Sequence, residues 1–378
     1  MAEKVYFACM RARNPGQNTI TKLQRLFDEA GFSGLIDPGD LTAIKLHFGE
    51  WGNESYVNPV YVRQVVDHVR QAGGKPFLTD SNTLYKGSRS NAVDHLQIAI
   101  EHGFAYAVVA APLIIADGIR GGDRRNVVTR TPHFQNVTIS GEIADSDAMI
   151  VLSHFKGHDT AGFGGAIKNL AMGCAPPVGK QAQHCARPVN NPDRCTGCGK
   201  CLSVCPADAI SMTDGPGGQK ARIESGQCIG CFECLAICPS SAIDVDWETE
   251  IPEFIERMVE YAYGAVKGKE KKTGYINFLL RITPDCDCVP WSDASIVPDI
   301  GILASRDPVA IDAASYDLVN AEEGIRQSFL SDNFGRGMDK FKGVWKHTDG
   351  YRQIEYGEKI GLGNPEYTLV PLDSSHPV

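Results

Sequence analysis

Thr42-Ala43-Ile44-Lys45-Leu46-His47-Phe48, then Asn58-Pro59, then Lys75-Pro76-Phe77-Leu78-Thr79: this run carries the fold. Ile44, Leu46 and Phe48 alternate on one side, the period of a strand with one face on a core. Asn58 suits a helix cap and Pro59 the first turn, where a missing N–H costs nothing. Val62, Val65, Val66 and Val69 recur at helical spacing, and Gly73-Gly74 closes the helix before a second strand over 75–79.

The same alternation extends both ways. Residues 5–9 form a short apolar strand. Ile20, Leu23, Leu26, Phe27 and Ala30 share one helical face, and Gly31 stops that helix. A helix over 91–102 ends at Gly103, 105–111 and 148–152 read as buried strands, and 165–172 as a short helix. Beyond 250 come a helix over 251–266, strands over 275–282 and 299–304, a helix capped by Asp307-Pro308 that runs to about Val319, and a helix over 351–360. The expectation is an α/β fold, a mostly parallel sheet with flanking helices, whose ligand sites lie at the carboxyl ends of strands.

The chain has 378 residues, enough for two or three domains, and is 43% hydrophobic and 22% charged, as globular chains are. Its 46 acidic residues outnumber 37 basic ones for a net charge of -9, which argues against nucleic acid or an anionic membrane as a partner. The apolar stretch before Arg11 is too short for a signal peptide. The longest apolar run, 105–116, has twelve residues and contains Pro112, against the roughly 20 a bilayer span needs. The expected compartment is the cytoplasm, where 13 Cys are better used on metal than in disulfides.

Between 188 and 246 the rhythm breaks, and Cys, Pro and Gly dominate. The expected division is an α/β domain over 1–187, a small α+β insert over 188–246, and the rest of the α/β domain over 247–378. An internal repeat marks the insert. Cys195-Thr-Gly-Cys198-Gly-Lys-Cys201-Leu-Ser-Val-Cys205-Pro206 recurs 33 residues on as Cys228-Ile-Gly-Cys231-Phe-Glu-Cys234-Leu-Ala-Ile-Cys238-Pro239. At this spacing one loop presents three thiolates to an iron–sulfur cubane, and the fourth Cys serves the other cluster. Cys195, Cys198, Cys201 and Cys238 are therefore assigned to one 4Fe-4S cluster, and Cys228, Cys231, Cys234 and Cys205 to a second. Gly197, Gly199 and Gly230 let backbone approach the sulfides, and Ile210 and Ile243 pack over the clusters. A zinc ribbon would use two CxxC pairs and explains neither the third link nor the Cys-Pro ending. The insert resembles bacterial two-cluster ferredoxins.

Five cysteines remain: Cys9, Cys174, Cys185, Cys286 and Cys288. In Pro284-Asp285-Cys286-Asp287-Cys288 the thiols at i and i+2 would share one face of an extended chain, with the carboxylates opposite. They could bind a soft metal, hold a further cofactor or form a redox dithiol; the bland alternative is a solvated turn. A second constellation is Ser153-His154-Phe155-Lys156-Gly157-His158-Asp159, then Gly162-Phe163-Gly164-Gly165-Ala166-Ile167-Lys168-Asn169 and on to Cys174. Its glycines precede a helix, so their N–H groups could cradle an anion, with Lys168 as counter-charge or acid. His154 and His158 could share a metal. His184-Cys185 lies in the tether to the insert. Asp80, Asn82, Tyr85 and Arg89 follow another strand as polar groups at a pocket rim, with an Asx turn as the alternative. His47, Glu50 and Asn53 follow a third strand, and Asp312 stands on the inner turn of the helix that Asp307 caps.

The segments 80–89, 154–173, 285–288, 301–305 and 307–312 look like those of the iron–sulfur-centre proteins built on domain of unknown function 362, here with a ferredoxin insert. That resemblance implies a cytoplasmic redox protein of anaerobic type and assigns no reaction. The expected function is an iron–sulfur oxidoreductase. Single electrons from a ferredoxin or flavoprotein partner pass through the two clusters to a cofactor or substrate site in the α/β domain. Lys168, His154, Cys286, Cys288 and Cys174 are the candidate catalytic groups; Gly162, Gly164, Gly165, Asn169, Asp80, Asn82 and Arg89 are the candidate cofactor-binding groups. A further metal, a flavin-type cofactor without a specific signature, a small-molecule substrate and a homodimeric partner are left open. The alternatives are a non-enzymatic electron-transfer or scaffold subunit docking on a partner enzyme, and a maturation factor that donates metal or sulfur.

Overall fold

A computed structural model describes residues 2–85, 87–184, 188–215, 217–228, 233–245 and 247–372. Its centre is an eight-stranded sheet. In chain order the strands are β1 Glu3–Cys9, β2 Leu41–Lys45, β3 Lys75–Asp80, β4 Leu113–Ile115, β5 Ala148–His154, β6 Thr273–Leu279, β7 Gly301–Ser305 and β8 Tyr367–Pro371. Across the sheet the order is β8-β1-β7-β6-β5-β2-β3-β4. The five strands from β6 to β4 run parallel; β7 is antiparallel to both neighbours, and β8 pairs parallel with β1. The fold is α/β with a mostly parallel sheet.

Both faces are covered, so β5 is buried at every position. Ala148, Ile150 and Leu152 face one core with α1 (Thr19–Glu29) and α2 (Pro59–Gln71). Met149 and Val151 face the other, with α4 (Ala166–Cys174), α5 (Trp247–Val266) and α6 (Pro308–Ala321), which follow α3 (Ala92–Ala99) in the chain. The expected caps form: Asn58 accepts from Val60 N at 2.9 Å, and Asp307 from Val309 N and Ala310 N at 2.8 and 2.9 Å. Val62, Val65, Val66 and Val69 are the buried face of α2.

Several expectations fail locally. Residues 105–111 are not a strand. Tyr106–Val109 is a helical turn with Tyr106 and Val108 exposed, and extended backbone starts only after Pro112. The helix begun at Ala92 becomes a π turn over Ile100–Phe104, and Gly103 takes φ +91°. β2 stops at Lys45, β6 at Leu279, and β7 starts at Gly301. No helix among the described residues is long and apolar enough to cross a membrane.

The cysteine-rich segment makes its own small sheets. Pro188–Asn190 pairs with Ile243–Val245, and Ile210–Gly215 pairs with Gly218–Ile223. Among the described residues, parts of the 33-residue repeat recur in three dimensions. The helical turns Lys200–Val204 and Glu233–Ile237 correspond, and Asp208 and Ser241 both adopt the left-handed conformation, at φ +49° and +47°.

Candidate functional site

β2, β3, β5 and β6 end on the same edge of the sheet because they are parallel. The chain leaving each supplies one part of a cavity of about 410 Å³: His47, then Asp80, Tyr85 and Arg89, then His158 and Lys168, then Cys286 and Cys288. Lys180, His184, Phe254 and, from the cysteine-rich segment, Leu235 complete the wall. The volume suits a small-molecule site.

Behind the wall lies a buried ion network. Asp80 Oδ1 is 3.1 Å from Lys45 Nζ, and Asp80 Oδ2 is 3.5 Å from Arg89, which also meets Glu50 at 3.2 Å. Burial alone would raise the Asp80 carboxyl, but the charges of Lys45, His47, His95 and Arg89 hold it well below the usual range. Burial pulls His95 down to about 3 and Lys180 down to about 8. Lys180 Nζ donates to Ser81 Oγ and Ala175 O, both at 2.6 Å. Arg89 also donates to Tyr85 Oη, which donates to Cys288 O at 3.1 Å. The rim residues Asp80, Tyr85 and Arg89 thus hold up the loop that carries the thiols.

That loop is a turn rather than a strand, yet Cys286 and Cys288 converge. Asp287 between them points inward, 2.8 Å from His154 Nδ1, 3.4 Å from Lys156 Nζ and 3.0 Å from Ser55 Oγ. Because Asp287 is drawn inward, its neighbours turn to the cavity. Lys168 Nζ lies 3.6 Å from Cys286 Sγ. A hydrogen bond from Cys288 comes first among the causes that hold Cys286 well below an ordinary thiol; it outweighs burial, and Lys168 and Lys156 add to it. Cys288 is raised correspondingly. His158 brings an imidazole beside both sulfurs: one ligand atom from each of the three residues lies within 4.8 Å of the others. Gly157 permits this approach, since a Cβ there would collide with Pro284 O.

Other expected groups do different work. His154 spends both ring nitrogens, on Asp287 and on Arg281 O at 3.0 Å, and does not line the main cavity. Cys174 is wholly buried in the core, and desolvation raises its thiol to about 11. Asn82 ties Asp117 Oδ1 and Gly118 O together, and Asn169 joins Lys45 to Leu152 O and Ser153 Oγ. The anion cradle expected at Gly162, Gly164 and Gly165 is already filled from within. Asp312 accepts from Ala166 N at 2.8 Å and Ile167 N at 2.9 Å, and also from Asn277 Nδ2. A Cβ on Gly165 would strike Asp312, and one on Gly162 would strike Gly350. None of the three glycines lines the main cavity, while Gly164 and Gly165 border a smaller void beside it with Lys168, Asn169 and Cys286.

The fold sets His158 beside the two thiols and not beside His154, whose ring is held by Asp287. Lys180 and His95 had no sequence signal, because a buried lysine or histidine outside a motif looks like any other.

In the cysteine-rich segment, Cys195, Cys198, Cys201 and Cys238 line one small cavity. Backbone N–H groups point at the sulfurs in repeat-related fashion: Ala209 N at Cys205 Sγ and Ala242 N at Cys238 Sγ, both 3.3 Å. Ala221 N lies 3.5 Å from Cys195 Sγ. Four thiols around one void, two of them (Cys195 and Cys238) met by backbone N–H donors, are a donor set that fits a thiolate-bound cluster. Cys201, Cys205, Cys234 and Cys238 pack with Ile210 and Ile243 in one apolar cluster. Cys231, Gly230 and Cys185 lie outside the described residues.

Among curated proteins the chain is similar to the Thylakoid-associated protein sll1697 of Synechocystis sp. (strain ATCC 27184 / PCC 6803 / Kazusa), 30% identical over 161 residues. That match covers 42% of this chain and 46% of the relative, so the chain spans under half of that protein's length. Among solved structures it is similar to the lactate racemase apoprotein from Thermoanaerobacterium thermosaccharolyticum, with 12% identity, TM-score 0.36, and 68% and 49% of the two chains covered. A Thermotoga maritima protein matches with 10% identity and TM-score 0.32 over 71% and 52% of the two chains. Residues 42–317 match the family described as domain of unknown function (DUF362), and the chain belongs to that family.

Proposed function

We propose that this protein is an iron–sulfur redox protein that carries single electrons to a small-molecule or cofactor site in the α/β domain. The cysteine-rich segment is read as a two-cluster ferredoxin module. Cys195, Cys198, Cys201 and Cys238 would hold one 4Fe-4S cluster, and Cys228, Cys231, Cys234 and Cys205 the other. When bound, the two clusters supply stepwise one-electron transfer. Ile210 and Ile243 keep water from the sulfurs, and the N–H groups of Ala209, Ala221 and Ala242 stabilise thiolate charge.

The observation that carries the reading is Leu235. It follows Cys234 directly and stands in the same cavity wall as Cys286, Cys288 and Lys168. The helical turn that carries Cys234 therefore borders the chamber that the sheet edge builds. Lys168 and Lys180 place positive charge there, suited to a small anionic substrate. A ferredoxin or flavoprotein would be the external electron donor or acceptor.

Iron and acid-labile sulfide analysis of anaerobically purified protein tests this. About eight of each per chain supports two four-iron clusters; zinc at the repeat cysteines in place of iron removes the reading.

A further inference from the structure

We propose that His158, Cys286 and Cys288 form a third metal site, for one thiophilic divalent ion. It shares no residue with the cysteine repeat, so its occupancy does not depend on the reading above. The case is geometric. One ligand atom from each residue lies within 4.8 Å of the other two; Cys286 is buried and the other two are half-buried on the cavity wall. Two sulfurs and one imidazole nitrogen are a donor set for zinc(II) and its borderline-soft neighbours.

Each ligand is braced from behind. Asp287, held by His154, Lys156 and Ser55, fixes the turn so that the flanking thiols face the same way. His158 Nδ1 meets Thr160 N at 3.1 Å, Ala161 N at 3.0 Å and Asp159 Oδ1 at 3.2 Å, so the ring is oriented from one side. Nε2 makes no hydrogen bond among the described residues. Nδ1 accepts from these two backbone N–H groups, so the ring proton sits on Nε2; ligation through Nε2 moves that proton to Nδ1, where Asp159 Oδ1 accepts it as the outer carboxylate of a ligating imidazole. Gly157 N donates to Thr283 O at 2.9 Å, which pins the hairpin bearing His158 to the loop bearing the thiols.

Three protein ligands leave a fourth position of a tetrahedral ion open, the mark of a reactive rather than a structural site. Here it opens on the cavity. Two thiolates and a divalent ion are neutral together, so the Lys168 ammonium beside Cys286 remains free to attract an anionic fourth ligand.

The test uses the anaerobically purified, thiol-reduced holoprotein, equilibrated with zinc(II), desalted, and measured for zinc and iron together, followed by zinc-edge X-ray absorption. The expected result is about one zinc per chain with two sulfurs at ~2.3 Å and a nitrogen at ~2.0–2.1 Å. Cys288→Ser and His158→Gln should each weaken zinc retention at least tenfold while iron stays at the wild-type level. Wild-type protein that retains no zinc, zinc retention unchanged in both variants, or a Cys286–Cys288 disulfide in the reduced holoprotein would each overturn the proposal. The wild-type measurement decides even if a variant loses its iron.

Discussion

Asp287 Oδ1 lies 2.8 Å from His154 Nδ1, across 133 residues of sequence. This one contact ties the turn bearing Cys286 and Cys288 to the end of β5, and Lys156 joins the same carboxylate. Asp287→Asn keeps the shape and removes the charge, leaving Lys156 buried without its counter-ion; such losses cost about 3–5 kcal/mol. Burial by itself would raise the Asp287 carboxyl, but His154 and Lys156 hold it well below its ordinary value. Its contribution is therefore full above about pH 4 and is lost as the pH falls below that. Denaturant melts at neutral pH should show the deficit, and it should shrink in acid. Equal stability at pH 7 would contradict the ion pair's role.

Asp312 caps the start of α4 from another helix, α6. Asp312→Ala strands two backbone N–H groups and Asn277 Nδ2, at about 2–3 kcal/mol. Burial raises the Asp312 carboxyl to about 6. The folded state then binds a proton more tightly than the unfolded chain, and the residue's contribution falls as pH rises from about 4 to about 6. Asp312→Asn should be milder than Asp312→Ala, and its deficit should be smaller at pH 7 than at pH 5. Thermal melts at both values read this.

Gly157→Ala should disturb the thiol turn without touching a thiol, because its new Cβ meets Pro284 O. The expected outcome is a folded but less stable protein whose Cys286 and Cys288 react with an alkylating reagent at a changed rate, followed by mass spectrometry. Wild-type rates would mean that the hairpin does not press on the turn.

Cys198→Ala should halve the iron, from about eight to about four per chain, and weaken the module, whose core is small. The double variant Cys286→Ser with Cys288→Ser should leave iron near eight. A fall to four in the double variant would mean that the ligand partition is wrong.

Strands and helices were legible wherever one periodicity ruled, as with the valines of α2 and the caps at Asn58 and Asp307. The reversed direction of β7 was not, because alternation in a strand carries no sign. Residues 105–111 failed since apolar content without period fits a short helix as well as a strand. The thiol repeat and the Cys286–Cys288 pair stood out in the sequence by spacing alone. His158 and Asp312 needed the fold: an imidazole becomes a neighbour of two thiols, and a carboxylate becomes a helix cap, only through contacts made 128 to 146 residues away. The lysines at 45, 156 and 180 are similar, for burial is what makes them unusual.

The most direct test of the central claim is an anaerobic reductive titration followed by EPR. Two neighbouring 4Fe-4S clusters predict uptake of about two electrons per chain, with signals broadened by mutual spin coupling. A protein that takes up no electrons, or shows one isolated spin per chain with every repeat cysteine intact, would contradict it.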